Sequence, residues 1–253
     1  MPSEPSSKPL DSWSVTRRQA LVYGPISLFA FAAACSDSSD SSADETSTEE
    51  AVAGENCDVV AFPQFQAGPF YLNTGDVRRD VTEGLVGAPM VIALRLIDAA
   101  TCAPLTDMAV DIWSAGPDGA YSGVDNALVV DGAPDTRGET FMRGRQITDS
   151  DGRVEFQTLF PGWYPVTAPH FHFTSPFDSE SSFTWQFFID DDFSETVYTT
   201  VAPYSERGTH TVRSSDRSPD LIITPTGTPA NPVIDATVAI DLSDLSDTPS
   251  EFS

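Results

Sequence analysis

Short apolar runs separated by proline and glycine are the feature of this sequence that most constrains its fold. From residue 57 onward, apolar and polar residues alternate within each run, as they do in half-buried β-strands, and turn-forming residues follow. The 20 prolines and 16 glycines are spread between these runs, and both residue types interrupt helices. The pattern predicts an all-β domain, an antiparallel β-sandwich, without a convincing amphipathic helix. The predicted strands are 90–97, 109–113, 154–159, 170–174, 183–189 and 233–242.

The charge balance excludes one large class of partners. The chain carries 38 acidic and 13 basic side chains among 253 residues, a formal net charge of −25. Proteins bind nucleic acids and anionic lipid surfaces through Lys and Arg residues that neutralise phosphate. Neither partner is therefore expected. The acidity itself fits solubility, life in a salty medium, or attraction of a cationic partner.

Residues 1–35 have the features of an export signal. Arg17 and Arg18 precede a short apolar run, in a context that resembles a twin-arginine signal. The run is shorter than the roughly 20 residues that a membrane-spanning helix needs. It ends in three alanines and Cys35, which resembles a bacterial lipobox without its preferred leucine. The expected location is periplasmic or cell-surface, with either a lipid anchor at Cys35 or ordinary cleavage after the alanines.

Residues 36–56 are predicted to be an acidic disordered tether, and residues 57–253 the folded domain. The tether is rich in Ser, Asp, Glu and Thr and has no aromatic residue, so it buries too little apolar surface to offset the entropy of ordering. If Cys35 is lipidated, Cys57 and Cys102 are left as an even pair in an oxidising compartment, where disulfides persist. They are candidates for a disulfide.

Two of the three histidines, His170 and His172, lie two residues apart in a predicted strand. Residues at that spacing point to the same face, so two imidazoles stand side by side. Imidazole binds iron, copper, zinc and nickel, and such a pair also occurs in structural roles, so the pair alone does not identify a metal. The third histidine, His210, lies in a polar stretch and is predicted to be solvated.

The segments around the histidine pair resemble the intradiol ring-cleavage dioxygenase family, which includes the catechol and protocatechuate dioxygenases, and especially its exported single-domain members. The motifs stand in family order over most of the chain after the tether. They are GPFY at 68–71, RDV at 79–81, VDIW at 110–113, DGAYS at 118–122, FMRG at 141–144, QITD at 146–149, LFPGWY at 159–164, PHFH at 169–172 and TWQ at 184–186. The resemblance implies the β-sandwich of that family.

Matched position by position, the resemblance implies a mononuclear non-haem iron(III) whose ligands are Tyr121, Tyr164, His170 and His172. A phenolate is a hard anionic donor, and a bound trivalent cation lowers the pKa of a phenol far below its usual value of about 10. The implied reaction uses O2 to cleave a catechol-type ring between its hydroxyls, giving a muconate-type diacid. Tyr164 is the ligand that the substrate would displace, and its phenolate would accept a substrate proton. Each tyrosine taken alone fits equally well as a buried residue with a hydrogen-bonded hydroxyl.

Two further positions bear on catalysis. Gln186 matches a family residue near the site and would orient substrate or oxygen, or else is a solvent-facing strand residue. The family has an arginine three residues before its first histidine ligand, where this chain has Thr167. A neutral threonine cannot stabilise negative charge that develops on the ring. Arg143 and Arg145 are the candidates to supply that charge from another strand.

Three functions therefore fit the sequence. The first is an intradiol dioxygenase acting on a small catechol-type substrate and O2. The second is a catalytically impaired, iron-containing relative that binds a phenolic ligand or a partner, which Thr167 favours. The third is a metal-free, surface-exposed structural sandwich, with which the acidic tether and the many prolines are compatible.

Overall fold

The computed structural model describes residues 61–128, 131–177, 181–208, 210, 212–243 and 245–247. The predicted export signal, residues 1–35, and the predicted tether, residues 36–56, lie outside the described residues, as does Cys57. Cys102 is disulfide-bonded, as the expected pairing requires. No helix within the described ranges is long and apolar enough to cross a membrane.

The described residues form ten β-strands, one α-helix and four short 3-10 helices. The strands are β1 Pro89–Asp98, β2 Ala109–Trp113, β3 Arg143–Ile147, β4 Arg153–Leu159, β5 His170–Pro176, β6 Ser181–Ile189, β7 Ile222–Ile223, β8 Thr226–Thr228, β9 Asn231–Ile240 and β10 Ser246–Asp247. The α-helix is α1 Asp191–Thr200, and the 3-10 helices are Asn126–Leu128, Tyr204–Glu206, Ser214–Asp216 and Pro219–Leu221.

The strands form two sheets, and the predicted all-β sandwich is confirmed. The first sheet has the order β4-β1-β9-β8, and the second has the order β10-β6-β5-β2-β3, with β7 paired to β6. Both sheets are mixed rather than purely antiparallel, since β1 pairs with β9 and β6 with β7 in parallel. Tight hairpins produce antiparallel neighbours, whereas strands this far apart along the chain can align in parallel through a long connection.

Alternation along the strands decides which residues fill the core. In β1, Met90, Ile92, Leu94 and Leu96 are buried and pack in one cluster with residues of the second sheet. The second sheet contributes apolar side chains from its inner face: Ile112, Phe171, Phe173, Trp185 and Phe187. Burial of each large apolar side chain contributes about 1.5–3 kcal/mol. The residues between them therefore point to the outer face of the second sheet.

The helix α1 and the strands β3, β7, β8 and β10 were not predicted from the sequence. The helix α1 contradicts the expectation that the domain has no amphipathic helix; Asp190 begins it by accepting a hydrogen bond from the Phe193 backbone N–H at 3.0 Å. The helix buries only Ser194, Val197 and Tyr198, too few residues to give a clear helical periodicity. Strand β3 was also missed, because its Arg-Gly-Arg-Gln sequence carries no apolar alternation and only pairing with β2 defines it.

His210 is buried, with 5% of its surface exposed, so the prediction that it is solvated is wrong. It packs against α1, where the Tyr198 ring lies 4.9 Å away between centroids and Glu195 Oε2 lies 3.6 Å from His210 Nδ1. Loss of solvent contact lowers the pKa of His210 below 6.5, and Arg213 lowers it further, while Glu195 and Asp191 raise it. The sequence did not reveal this burial because it did not predict the helix.

We expect His210 to make the fold sensitive to acid. Because its pKa is lower in the folded chain than in the unfolded chain, the unfolded chain binds more protons, and stability is lost as pH falls below about 6.5. His210→Gln should therefore show a smaller loss of melting temperature between pH 7 and pH 5 than wild type. Glu195→Gln, which removes a charge that favours the imidazolium, should show a larger loss. Equal pH slopes in all three proteins would contradict the assignment.

Candidate metal centre

One row of side chains crosses the outer face of the second sheet. The strand register pairs Arg143 with Trp113, Trp113 with His172, and His172 with Gln186. Directly paired residues of neighbouring strands place their side chains on the same face. His170 lies on this face as well, paired with Phe188, whose ring centroid is 5.2 Å from that of His170. The sheet thus supplies both imidazoles and sets Gln186 beside His172.

The two predicted tyrosines come from separate loops and meet the histidines at this face. The hydroxyl oxygens of Tyr121 and Tyr164 are 3.4 Å apart, and the Tyr121 hydroxyl is 3.4 Å from His170 Nε2. The Nε2 atoms of His170 and His172 are 2.7 Å apart. All four residues are buried. The structure therefore brings together the four residues that the sequence predicted as metal ligands.

The Tyr121 loop is held by backbone hydrogen bonds. The Asn126 side chain accepts from the Tyr121 backbone N–H at 2.7 Å and donates to its carbonyl at 2.8 Å. Thr136 Oγ1 donates to the same carbonyl at 2.5 Å. The ring of Phe70 stacks on the Tyr121 ring at 4.2 Å between centroids. These contacts fix the phenol before any ligand binds.

The loop that carries Tyr164 is clamped by Arg207. Its guanidinium donates to the carbonyl oxygens of Pro117 and Trp163 at 3.0 and 2.9 Å and lies 4.8 Å from the Trp163 ring centroid. Gly162 lets this loop pass close to the Tyr121 loop, since a Cβ there would stand 2.3 Å from the Pro117 carbonyl oxygen. Arg207 and Gly162 therefore join the two tyrosine loops.

The tautomer of His170 follows from its contact with a carbonyl. His170 Nδ1 lies 2.7 Å from the carbonyl oxygen of Ala168, and a carbonyl only accepts, so Nδ1 carries the proton. A neutral His170 then directs the lone pair of Nε2 at His172 and Tyr121. A backbone partner on the other ring nitrogen is the usual support of a metal-binding histidine.

Burial keeps all four groups neutral in the absence of a cation. Loss of solvent contact lowers the pKa of His170 to about 4 and lowers that of His172 well below 6.5, where the neighbouring His170 adds to the effect. It raises the pKa of Tyr164 to about 12 and that of Tyr121 well above 10. Neutral imidazoles are ready to act as ligands, whereas buried phenols ionise only beside a compensating positive charge.

The donor set fits a metal ion. Ligand atoms that share one ion at about 2.1 Å, the length of a zinc–imidazole bond, lie about 3 Å apart when their bonds are at right angles. The separations in this site run from 2.7 to 3.4 Å. The distance between the two tyrosine hydroxyl oxygens is longer than the roughly 2.7–2.8 Å of an ordinary O–H···O hydrogen bond. In the described part of the chain no group of three His, Cys, Asp or Glu residues could hold a metal. The donor set has four members only because the two tyrosine hydroxyls lie beside the two histidines.

Trp113 and an ion pair support His172 from the side. The Trp113 ring stacks on the His172 ring at 4.8 Å and 4° between planes. In the next row, Arg145 forms a two-pronged ion pair with Asp111, at 2.5 and 2.7 Å, and Asp111 also accepts from the Tyr71 hydroxyl at 2.9 Å. The charge of Arg145 is thus neutralised by Asp111, and the ion pair stabilises the strand next to His172.

Arg143 lies behind Tyr121 and is almost fully buried, with 1% of its surface exposed. Its Nε donates to Ser122 Oγ at 2.9 Å and its Nη2 to the Ser122 carbonyl at 2.7 Å. Loss of solvent contact lowers the pKa of the guanidinium to about 10. The side chain therefore remains a cation at neutral pH and ties strand β3 to the loop that carries Tyr121.

Arg143→Ala is expected to loosen the Tyr121 loop and to destabilise the fold by about 2–4 kcal/mol, because buried carbonyl and hydroxyl oxygens lose a charged donor. Arg145→Ala should cost less, since Arg145 is partly exposed. Denaturant unfolding of the two variants measures the difference. A larger loss for Arg145→Ala would contradict this ranking.

A cavity of about 340 Å³ opens beside the two tyrosines. The residues that line it include Phe70, Tyr121, Trp163, Tyr164 and Arg207. Small-molecule sites are typically concave and mostly apolar, with volumes from about 300 Å³ upward and a few placed polar groups. The volume and the aromatic walls suit one substituted aromatic ring next to the tyrosine hydroxyls.

Thr167 has a cationic neighbour that the sequence did not reveal. Arg217 Nη2 donates to Thr167 Oγ1 at 3.1 Å, and the guanidinium carbon lies 4.9 Å from the centroid of the Phe188 ring. Arg217 lies 50 residues away in sequence and belongs to no motif of the resemblance, so only the fold could identify it.

Comparisons with known proteins point to dioxygenases. A family model described as dioxygenase matches residues 61–174. The chlorocatechol 1,2-dioxygenase of Pseudomonas putida is 32% identical over 62 residues, which are 24% of this chain and 20% of that protein. The match thus spans about a fifth of the length of this curated relative.

Solved structures share the fold over a longer stretch. The intradiol ring-cleavage dioxygenase from Tetranychus urticae is 26% identical, with 72% of this chain and 95% of that chain covered and a TM-score of 0.63. The dioxygenase domain of a dioxygenase carbohydrate-binding protein fusion from Streptomyces sp. SirexAA-E is 22% identical, covers 72% and 99% of the two chains at a TM-score of 0.50, and shows the fold alone.

The fold and the site together define a dioxygenase-like β-sandwich with a tyrosine and histidine donor set. The chain is similar to the intradiol ring-cleavage dioxygenases, the family of the catechol 1,2-dioxygenases. The resemblance that the sequence motifs indicated is therefore confirmed.

Proposed function

We propose that this chain is a non-haem iron(III) intradiol dioxygenase that cleaves a catechol-type ring between its hydroxyls with O2, giving a muconate-type diacid. The observation that carries the proposal is the convergence of Tyr121, Tyr164, His170 and His172 beside an aromatic cavity. Catechol and chlorocatechol are the first substrates to test, since a relative bears the name chlorocatechol 1,2-dioxygenase, and hydroxyquinol is a third.

The four side chains would hold the iron, and the family chemistry supplies the reason. Bound iron(III) would withdraw electrons from a catecholate and so make the ring reactive toward O2. Two phenolates and two neutral imidazoles leave the site with one net positive charge, which attracts an anionic catecholate. Burial of all four side chains keeps water away and strengthens that attraction.

The two tyrosines differ in burial and in the contacts that hold them, and this difference supports a separate role for each. Tyr121 is 1% exposed and is held by Asn126, Thr136 and Phe70, whereas Tyr164 is 8% exposed on a loop at the cavity wall. Tyr164 would therefore be the phenolate that the substrate displaces and that accepts the first proton of the catechol, as general-base catalysis requires. Gln186, which is paired with His172, would orient the substrate or O2 from the neighbouring strand.

Oxygen consumption tests this function. Iron-loaded wild type is expected to consume one O2 per catechol and to accumulate a diacid that absorbs in the ultraviolet. Tyr164→Phe should retain iron but lose most of the rate, and Gln186→Ala should retain iron with a smaller loss. Ring opening by wild type at no more than the rate of free iron(III) would contradict the proposal. If wild type binds catechols without consuming oxygen, the alternative, a binding relative without activity, takes its place.

We also propose that the protein is exported and anchored to a membrane through Cys35. The support is the pair Arg17 and Arg18 before a short apolar run and the acidic stretch that follows Cys35. The full-length chain, expressed in a bacterium that exports twin-arginine substrates, should sediment with membranes, and Cys35→Ser should release it. A soluble periplasmic wild type with an unmodified N-terminus beyond residue 35 would indicate simple cleavage.

A further inference from the structure

The family arginine position holds Thr167, and a different arginine, Arg217, lies beside it. The guanidinium of Arg217 reaches Thr167 from a 3-10 turn, Ser214–Asp216, that follows strand β6 and helix α1. Its hydrogen bond to Thr167 Oγ1 is 3.1 Å long. A charged group is thus present where the sequence alone suggested that none stands.

The turn that carries Arg217 is fixed to the body of the domain. Asp191, the first residue of α1, accepts hydrogen bonds from the backbone N–H groups of Ser214 and Ser215 at 2.7 and 3.1 Å. The backbone N–H of Arg217 then donates to the Ser214 carbonyl at 2.8 Å. The base of the side chain therefore has a defined position, although the guanidinium is exposed.

The guanidinium stands over a ring that touches the metal site. Its carbon lies 4.9 Å from the centroid of Phe188, a cation–π distance, and Phe188 contacts His170 with ring centroids 5.2 Å apart. Among the described residues Arg217 forms no ion pair, in a chain with 38 carboxylates. Arg145, by contrast, is neutralised by Asp111 at 2.5 Å. Arg143 donates its hydrogen bonds to Ser122, behind Tyr121.

A cation beside the metal site would favour the binding of an anionic substrate. The net charge of −25 repels a catecholate anion, so an unpaired positive charge beside the site favours binding of that anion locally. A guanidinium also offers N–H donors that can bind a substrate oxygen while Nη2 stays on Thr167.

We propose that Arg217 is the cation that receives the anionic oxygen of a catecholate at this site, in place of the arginine that the family has at Thr167. Thr167 is then a positioning residue, because its hydroxyl oxygen holds the guanidinium. This inference rests on the proposed function, since it assigns one residue of the same site.

The test compares four variants with wild type: Arg217→Gln, the matched control Arg213→Gln, Thr167→Val, and the double variant Thr167→Arg with Arg217→Gln. Arg213 lies in the same exposed segment and its removal changes the net charge by the same amount. Each protein is loaded with iron, its iron content is measured, and it is titrated with 4-nitrocatechol in the absence of oxygen. The visible absorption of the bound catecholate reports affinity without turnover.

Arg217→Gln is expected to keep its iron and to bind 4-nitrocatechol about ten- to a hundredfold more weakly, the size of a lost charged hydrogen bond. Thr167→Val should weaken binding less, because the cation remains but is no longer held. The double variant should regain affinity, while Arg213→Gln should match wild type. Turnover of catechol should fall about a hundredfold or more in Arg217→Gln.

Equal affinity of wild type and Arg217→Gln for 4-nitrocatechol would overturn the assignment of Arg217 and leave the proposed function standing. An equal loss in Arg213→Gln would overturn it too, because the effect would then be one of net charge. A wild type that binds neither iron nor 4-nitrocatechol would overturn the proposed function and this inference with it. The iron content of each variant separates these cases.

Discussion

Protein purified after expression with adequate iron is expected to contain about one iron per chain, because one four-donor set is present, and to be red-brown from charge transfer between tyrosinate and iron(III). His172→Ala should lose most of the metal. The His172 ring is buried, its Nε2 lies 2.7 Å from that of His170, and Trp113 stacks on it, so no other side chain can take its place without repacking.

The visible band separates the roles of the ligands. Tyr164→Phe should weaken or shift the charge-transfer band while much of the iron is retained, since Phe keeps the ring at this position and leaves the packing of the other three donors unchanged, whereas His172→Ala removes the ring on which Trp113 stacks. His210→Gln is the matched control, because it removes the one histidine that lies outside the site and should leave iron content and colour unchanged. A colourless, iron-free wild type would contradict the site assignment.

Gly162→Ala is expected to disrupt the junction of the two tyrosine loops. A Cβ at this position would stand 2.3 Å from the Pro117 carbonyl oxygen and 2.6 Å from both the Gly116 oxygen and the Gly119 nitrogen. All three are backbone atoms, so the loops themselves must move apart. Overpacking of this kind costs about 3 kcal/mol or more, and the shift separates Tyr164 from Tyr121.

The matched control is Gly75→Ala, where an added Cβ meets no atom within 4 Å but the backbone has φ +69°. That substitution should cost about 1–2 kcal/mol, the cost of a left-handed conformation for a residue with a side chain, and should leave the iron band intact. The measurements are denaturant unfolding and iron content. Similar stability of the two variants, or full iron in Gly162→Ala, would show that the loops adapt without loss.

Thr167 illustrates the limit of arguing from a motif. Its substitution for the family arginine is visible in the sequence and correctly raises the question of where the charge comes from. The candidates nearest in the motifs, Arg143 and Arg145, are instead committed to Ser122 and Asp111. Arg217 reaches the position only because α1 turns the chain back and Asp191 fixes the following turn.

The two longest elements that the sequence did not predict have one cause. Strand β3 and helix α1 carry few apolar residues in a regular period, so their local sequences do not specify them. Pairing with β2 and packing of Val197 and Tyr198 against the core stabilise them instead. His210 is buried because it packs against α1, so its burial could not be predicted from the sequence either.

The sequence by itself determined the β-sandwich and the shared face of His170 and His172, and its family resemblance implied Tyr121 and Tyr164 as further ligands. Alternation along short runs specifies strands and their inner face, and two histidines two apart in a strand must share a face whatever the fold. The tertiary structure alone decided that Tyr121 and Tyr164 meet those histidines, that Arg143 and Arg145 serve as supports, and that Arg217 stands beside Thr167. Strand periodicity is a local property of the chain, whereas contacts between loops depend on sheet register and on backbone hydrogen bonds between residues far apart in sequence.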